Sequence, residues 1–175
     1  MLQSLKNAVK ITELRNKILF TIGMLFVFRL GVHVPVPGVN PDVMAEFIKT
    51  GALLGFFDVI SGGAFKNFSI FAMSITPYIN ASIIMQLLQV VVPALERLAK
   101  EGDEGRKKLS QYTRYGTVIL AFVQAVGMTL VVGDAVINPG IYSFMMIAIS
   151  LTAGTAFLMW LGEQITENGI GNGIS

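Results

Sequence analysis

An all-α, polytopic membrane protein is the fold class this sequence predicts, on three observations. Of its 175 residues, 53% are hydrophobic and 14% charged, against roughly 25% charge in a soluble domain, and mean hydropathy is positive. No charged residue falls between Lys66 and Glu96, between Arg114 and Asp134, or between Asp134 and Glu163. Each tract approaches or exceeds the roughly 20 residues that carry a helix across a 30 Å hydrocarbon layer. Ten of the thirteen lysines and arginines gather in two clusters outside those tracts. The lack of cysteine and the single histidine, His33, exclude disulfide scaffolds, thiolate zinc sites, cysteine nucleophiles and histidine-built metal clusters.

Taken in order, residues 1–17 carry Lys6, Lys10, Arg15 and Lys17 and form a cytoplasmic segment. The first span, 18–36, is interrupted by Arg29, whose long stem can snorkel toward an interface. It is not a cleaved signal peptide, because no small-residue cleavage site follows and VPVPG reads as a turn. An external loop, 37–68, contains the apolar string ALLGFFDVI, too greasy for a solvated loop and too short to cross. It reads either as a re-entrant half helix near 52–62 sheltered by protein or as an amphipathic helix on the outer surface. Ser61, Gly62 and Gly63 form a flexible joint leading to the second span, 69–92. The cytoplasmic loop 93–114 holds Arg97, Lys100, Arg106, Lys107, Lys108 and Arg114. It reads as a partly flexible arm able to meet an acidic partner or anionic headgroups. The third span is 115–132, a short external turn occupies 133–141, the fourth span is 142–162, and 163–175 is cytoplasmic. The positive-inside rule sets this orientation and places both termini in the cytoplasm. Four transmembrane helices and one short half helix are thus expected.

Intramembrane enzymes need paired acids, a serine with a base, or a metal motif. The sequence has no HExxH, no GxSxG and no acid within a span, so no catalytic residue, metal ligand or cofactor is expected, and the protein is not read as an enzyme. The polar residues of the spans, Ser74, Thr76, Asn80, Ser82, Gln86 and Gln89, then Gln124 and Thr129, then Ser150, Thr152 and Thr155, are of the kind that ordinarily serves helix packing. The second span adds Pro77, expected to remove one backbone hydrogen bond of the helix, and Ile75 and Ile79 on one face, with Ile83 four residues further and Ser82 and Gln86 beside it. Such grading suits a helix lining a water-filled path with a hydrophobic constriction. Two isoleucines on one face are more often core or lipid contacts, and periodicity does not decide between these uses.

Longer strings add what periodicity does not. SGGAF (61–65), SIFAMSITPYINASIIMQLL (69–88), EGDEGRKKLSQYTRYGT (101–117) and FLMWLGEQITENGIGNGIS (157–175), together with FRLGVHVPVPGV (28–39), closely resemble the SecY family, the channel subunits of the bacterial general protein translocon. The resemblance implies a ten-span clamshell around an hourglass pore, opening sideways to lipid, of which this chain supplies spans one to four. It implies that Ile75 and Ile79 contribute to the hydrophobic pore ring, and that Leu53, Leu54, Gly55, Phe56, Phe57, Asp58, Val59 and Ile60 form the plug, hinged at Ser61, Gly62 and Gly63. It further implies that Asn80, Ile83, Ile84, Gln86 and, on the third span, Gln124 line the lateral gate. The implied partners are the remaining SecY spans, the SecE and SecG subunits, the SecA motor ATPase or the ribosome, signal peptides and nascent chains, and the lipids of the bacterial plasma membrane, with no direct nucleic-acid binding. The family continues past GNGIS, so the rest of the ring, the opposite gate wall and the main docking loops are expected from sequence beyond this chain. A second reading is a fragment of a secondary transporter holding a solute at a broken helix, with Pro77 and the Gly62–Gly63 joint as its features.

Overall fold

The structure, a computed structural model, describes residues 11–40, 42–44, 46, 59 and 61–174. Among the described residues five α-helices dominate: α1 (Thr12–Val32), α2 (Thr76–Val91), α3 (Pro93–Lys100), α4 (Asp103–Val131) and α5 (Ile141–Asn168), with a 3₁₀ turn at Gly133–Ala135. Helix α4 lies between α2 and α5, and α1 packs on the far side of α5. Helices α4 and α5 are each long and apolar enough to cross a membrane, and α2 with α3 passes the same test as a pair bent by 101°. Helix α1 has 21 residues, about the length a crossing needs, but carries Glu13, Arg15, Lys17 and Arg29, leaving only 18–28 free of charge.

The second span differs from its sequence reading in where its helix begins. Residues 61–75 are a chain of turns, and α2 starts only at Thr76. This stretch is buried: Ser61, Ala64, Phe65, Phe68, Ser69, Phe71, Ala72 and Met73 are all inside. Irregular backbone survives at membrane depth only where protein shelters and satisfies it. Here the Ile70 amide donates to the Val34 carbonyl at 3.0 Å and the Val36 amide to the Phe68 carbonyl at 2.9 Å. Serine hydroxyls accept the amides of Phe65 (Ser61 Oγ, 3.1 Å) and Phe71 (Ser69 Oγ, 3.2 Å). Helix α5 passes directly over the segment, because a Cβ on Gly154 would stand 1.9 Å from the Ile70 carbonyl oxygen.

Pro77 lies in the first turn of α2, where its missing donor has no intrahelical role; it therefore breaks no hydrogen bond, contrary to the expectation. The sharp bend comes later, at Val92, which is extended (φ −101°, ψ 109°) before Pro93, as the residue preceding a proline prefers.

The charged loop 93–114 is also not a flexible arm, since α3 and the start of α4 fill it. Its two glycines serve a turn and a close approach. Gly102 turns the chain with φ +77°, and Gly105 lets α3 lie so close that a Cβ there would meet the Leu98 carbonyl oxygen at 1.8 Å. Asp103 and Glu104 occupy the first turn of α4, where acids complement the helix dipole.

The core sits at one end of the bundle. Val36, Val39, Met44, Phe65, Phe68 and Met73 from the connections pack with Ala125 of α4, Ile147 and Leu151 of α5, and Val132 and Val136. Two isolated antiparallel bridges, Pro35 with Ser69 and Val39 with Val136, stitch this cap together. A row of rings, Phe28 on α1, Phe71 and Phe157 on α5, stacks at 5.8 and 5.9 Å and ties three segments. At the opposite end Arg114 Nε donates to Glu163 Oε1 at 2.8 Å, joining α4 to α5.

Candidate functional site: a groove and an uncovered face on α2

Helix α2 turns Pro77 and Ala81, one helical turn apart, into the bundle, with Ala81 facing Gly116 of α4. The opposite face carries Ile75, Ile79 and Ile83 at four-residue steps. Ile75 is half-buried at the N-cap, while Ile79 and Ile83 are 43% and 50% exposed. Among the described residues no helix buries Ile79 or Ile83. The hydrophobic stripe is therefore available to line a path or to meet other spans.

Beside that face opens a cleft of about 340 Å³, lined by Asn80, Ile83 and Ile84 of α2 and by Leu120 and Gln124 of α4. Four of the five residues the resemblance assigned to one gate thus border one cavity. Gln86 does not line it; its Nε2 donates instead to Ser82 Oγ at 3.3 Å along the same helix. Leu120 was not singled out from the sequence, although it lies one turn from Gln124 on the same helical face, a spacing that could have found it.

Of the residues the resemblance assigned to a plug, Leu53, Leu54, Gly55, Phe56, Phe57, Asp58 and Ile60 lie outside the described residues, and Val59 is 79% exposed. The joint that follows is described. Gly62 (φ +64°) and Gly63 (φ +88°) both occupy the left-handed region, which glycine adopts without steric cost. Arg29 does not simply snorkel: its Nη1 donates to the Gly62 carbonyl oxygen at 3.2 Å. His33 Nδ1 lies 2.8 Å from the Arg29 carbonyl oxygen. Among the described residues no group of three or more acidic or histidine side chains gathers to hold a metal ion.

A family model described as SecY matches residues 69–175. The chain is 52% identical over 180 residues to the protein translocase subunit SecY of Halalkalibacterium halodurans, covering 100% of this chain and 42% of that protein. It is 50% identical over 184 residues to the subunit of the same name from Bacillus subtilis, with the same coverage. The chain therefore spans about two fifths of the length of these curated relatives. Among solved structures it resembles Sec61 in the canine ribosome-channel complex from the endoplasmic reticulum, with TM-score 0.66 and 21% identity, over 91% of this chain and 34% of that one. A structure described as a protein conducting channel follows, with TM-score 0.64 and 22% identity at the same coverage. At these identities the two structures bear on fold alone, and that fold is a part of a Sec61/SecY-type channel. The transporter reading finds no support, since Pro77 breaks nothing and the relatives are named translocase subunits. A family match over 107 residues together with half-identity along the whole chain leaves one assignment: the chain belongs to the SecY family.

Proposed function

We propose that the chain forms the N-terminal part of the protein-conducting channel that moves unfolded secretory proteins across the bacterial plasma membrane and releases membrane helices sideways into it. The observation that carries this reading is the arrangement on α2, where an isoleucine stripe on an uncovered face adjoins a polar-edged cleft shared with α4. A passive conduit of this kind needs no catalytic group.

In this reading Ile75 and Ile79 belong to the pore ring. Branched apolar side chains at a constriction resist a continuous column of water and ions but yield around an extended polypeptide, which is gating by dewetting. Asn80, Ile83, Ile84 and Gln124, with Leu120 added and Gln86 at the margin, form one wall of the lateral gate. Asn80 and Gln124 make that seam easier to part than a wholly apolar one, because water or an entering helix satisfies the amides as the helices separate. Residues 53–60 act as the plug, swinging on Ser61, Gly62 and Gly63. Both ends of the chain face the cytoplasm, with the core-bearing cap outside. The driving energy comes from the SecA ATPase or the ribosome, and the SecE and SecG subunits with spans five to ten complete the assembly.

The test is reconstitution of the chain with the remaining spans in liposomes. Replacing Ile75 and Ile79 together by serine raises resting ion leak and relaxes signal-sequence discrimination. An unchanged leak in a correctly assembled channel overturns the ring assignment.

A further inference from the structure

We propose that Ser74 is the positioning residue of α2: its left-handed backbone seats the helix on α4, and the strain of that conformation makes α2 easier to lift away. Among the described residues only Phe68 (φ +39°) and Ser74 (φ +53°) hold a positive φ without being glycine, a region in which a Cβ crowds the neighbouring carbonyl. Phe68 is locked in place. It is 1% exposed, its amide donates to the Phe65 carbonyl at 3.0 Å, and its carbonyl accepts the Val36 amide. Ser74 instead stands half-buried at the border where the buried run of Phe71, Ala72 and Met73 gives way to exposed Thr76.

Two hydrogen-bonded runs meet at this residue. Upstream, the Ser74 amide donates to the Phe71 carbonyl and the Ala72 amide to the Ser69 carbonyl, both at 2.8 Å, while the Ile70 amide ties the run to Val34. Downstream, the Ile75 carbonyl accepts the amides of Tyr78 at 3.0 Å and Ile79 at 3.1 Å. Rotation at Ser74 therefore swings α2 as a unit against a fixed base. Ile75 keeps a negative φ of −93°, so the steric strain of the join lies at Ser74. A non-glycine residue stays left-handed only while its surroundings hold it there, and here α2 is held partly by Ala81 lying against Gly116, a methyl group beside a glycine. This inference deepens the gate reading and rests on it: lifting α2 from α4 widens the cleft between Asn80, Ile83 and Ile84 on one side and Leu120 and Gln124 on the other.

The test uses the chain, which has no cysteine of its own, reassembled in liposomes with cysteine-free remaining spans. Ala81, 4% exposed, is replaced by cysteine, and its rate of modification by methyl methanethiosulfonate reads the fraction of channels with α2 lifted. Thr155→Cys on α5 reads general loosening, since Thr155 is 1% exposed and its hydroxyl has no hydrogen-bond partner to lose. Ser74→Gly and Ser74→Asn adopt the left-handed region readily and slow modification of A81C, S74G by about tenfold. Ser74→Val, β-branched, speeds it about tenfold, the scale of the steric penalty in that region. None of the three moves the T155C rate. An A81C rate in S74V equal to that with Ser74 overturns the proposal. So do equal rates in S74G and S74V, which mark loss of the hydroxyl, and a parallel rise at T155C, which marks ordinary destabilisation. Should S74V not assemble, S74N decides, and an unchanged or faster A81C rate there overturns the proposal. The gate reading is scored apart: a photoreactive signal peptide that cross-links to neither Ile83 nor Leu120 sinks that reading, while the Ser74 rates are measured without peptide.

Discussion

Single residues carry sharply unequal weight in this chain. Gly154 touches the Ile70 backbone so closely that an added Cβ would stand 1.9 Å from a carbonyl oxygen, whereas Gly127 has nothing within 4 Å. Neither backbone at Gly154 can yield cheaply, so Gly154→Ala lowers stability by about 2 kcal/mol or more. Gly127→Ala, in the same class of helix interior, is neutral or stabilising by up to about 1 kcal/mol. Thermal unfolding of the purified proteins in detergent distinguishes the pair, and equal melting temperatures refute the close approach of α5 to 61–75. At Glu96 the effect is electrostatic: the hydrogen bond from Lys100, and then its charge, hold the carboxyl below the ordinary glutamate range. A folded-state pKa below the unfolded one means that the pair supports α3 fully above the unfolded pKa. That support disappears as pH falls through the folded value. A carbon-detected NMR titration gives a depressed midpoint for Glu96, and Lys100→Gln returns it to the ordinary range.

At the scale of elements, the joins between helices are made by backbone and hydroxyl groups more than by charges. The link 169–174 shows this. Thr21 Oγ1 on α1 donates to the Lys17 carbonyl at 2.9 Å and accepts the Ile170 amide at 3.0 Å. Thr166 Oγ1 on α5 likewise donates to the Gly162 carbonyl and accepts the Gly173 amide at 2.9 Å. The two threonines hold different amides of one link, so their loss has separable effects. Thr21→Val speeds hydrogen exchange at Ile170 about tenfold, the scale of one hydrogen bond, and leaves Gly173 unchanged. Faster exchange at both amides, or at neither, contradicts the docking of the link onto α1. The glycine-rich string that follows α5 is thus seated against both α1 and α5.

For the molecule as a whole, the decisive feature is what remains uncovered. Ile79, Ile83, Leu87, Val90 and Val91 on α2 and Leu19, Ile22, Leu25 and Phe26 on α1 are exposed. Apolar faces of this extent mark surfaces for lipid or for further spans. Ile75 and Ile79, the two residues proposed for a pore ring, cannot encircle a pore by themselves. The chain alone in planar bilayers therefore gives no gated conductance responsive to a signal peptide, and addition of the remaining spans restores it. A gated, peptide-responsive conductance from the chain alone would show that its own helices close the ring and would overturn the reading of the chain as one part of a clamshell.

Composition and charge spacing, read without coordinates, were enough to establish a helical membrane protein and the approximate positions of α4 and α5, whereas the candidate residues on α2 came from the resemblance carried by longer strings. Composition and spacing were enough because the bilayer imposes length and charge rules that act on each segment separately, and such rules are written along the chain. What needed the tertiary structure was every feature that depends on a distant neighbour. The turns of 61–75 persist because α1, α5 and the 34–36 segment satisfy and bury them. Pro77 is harmless because α2 begins beside it, and the 93–114 loop is helical because Gly105 admits α3 at close range. Leu120 joins the cleft through the packing of α4 on α2, and Arg29 finds its partner 33 residues away. Contacts of this kind arise from close packing in three dimensions, and a pattern read residue by residue does not contain them.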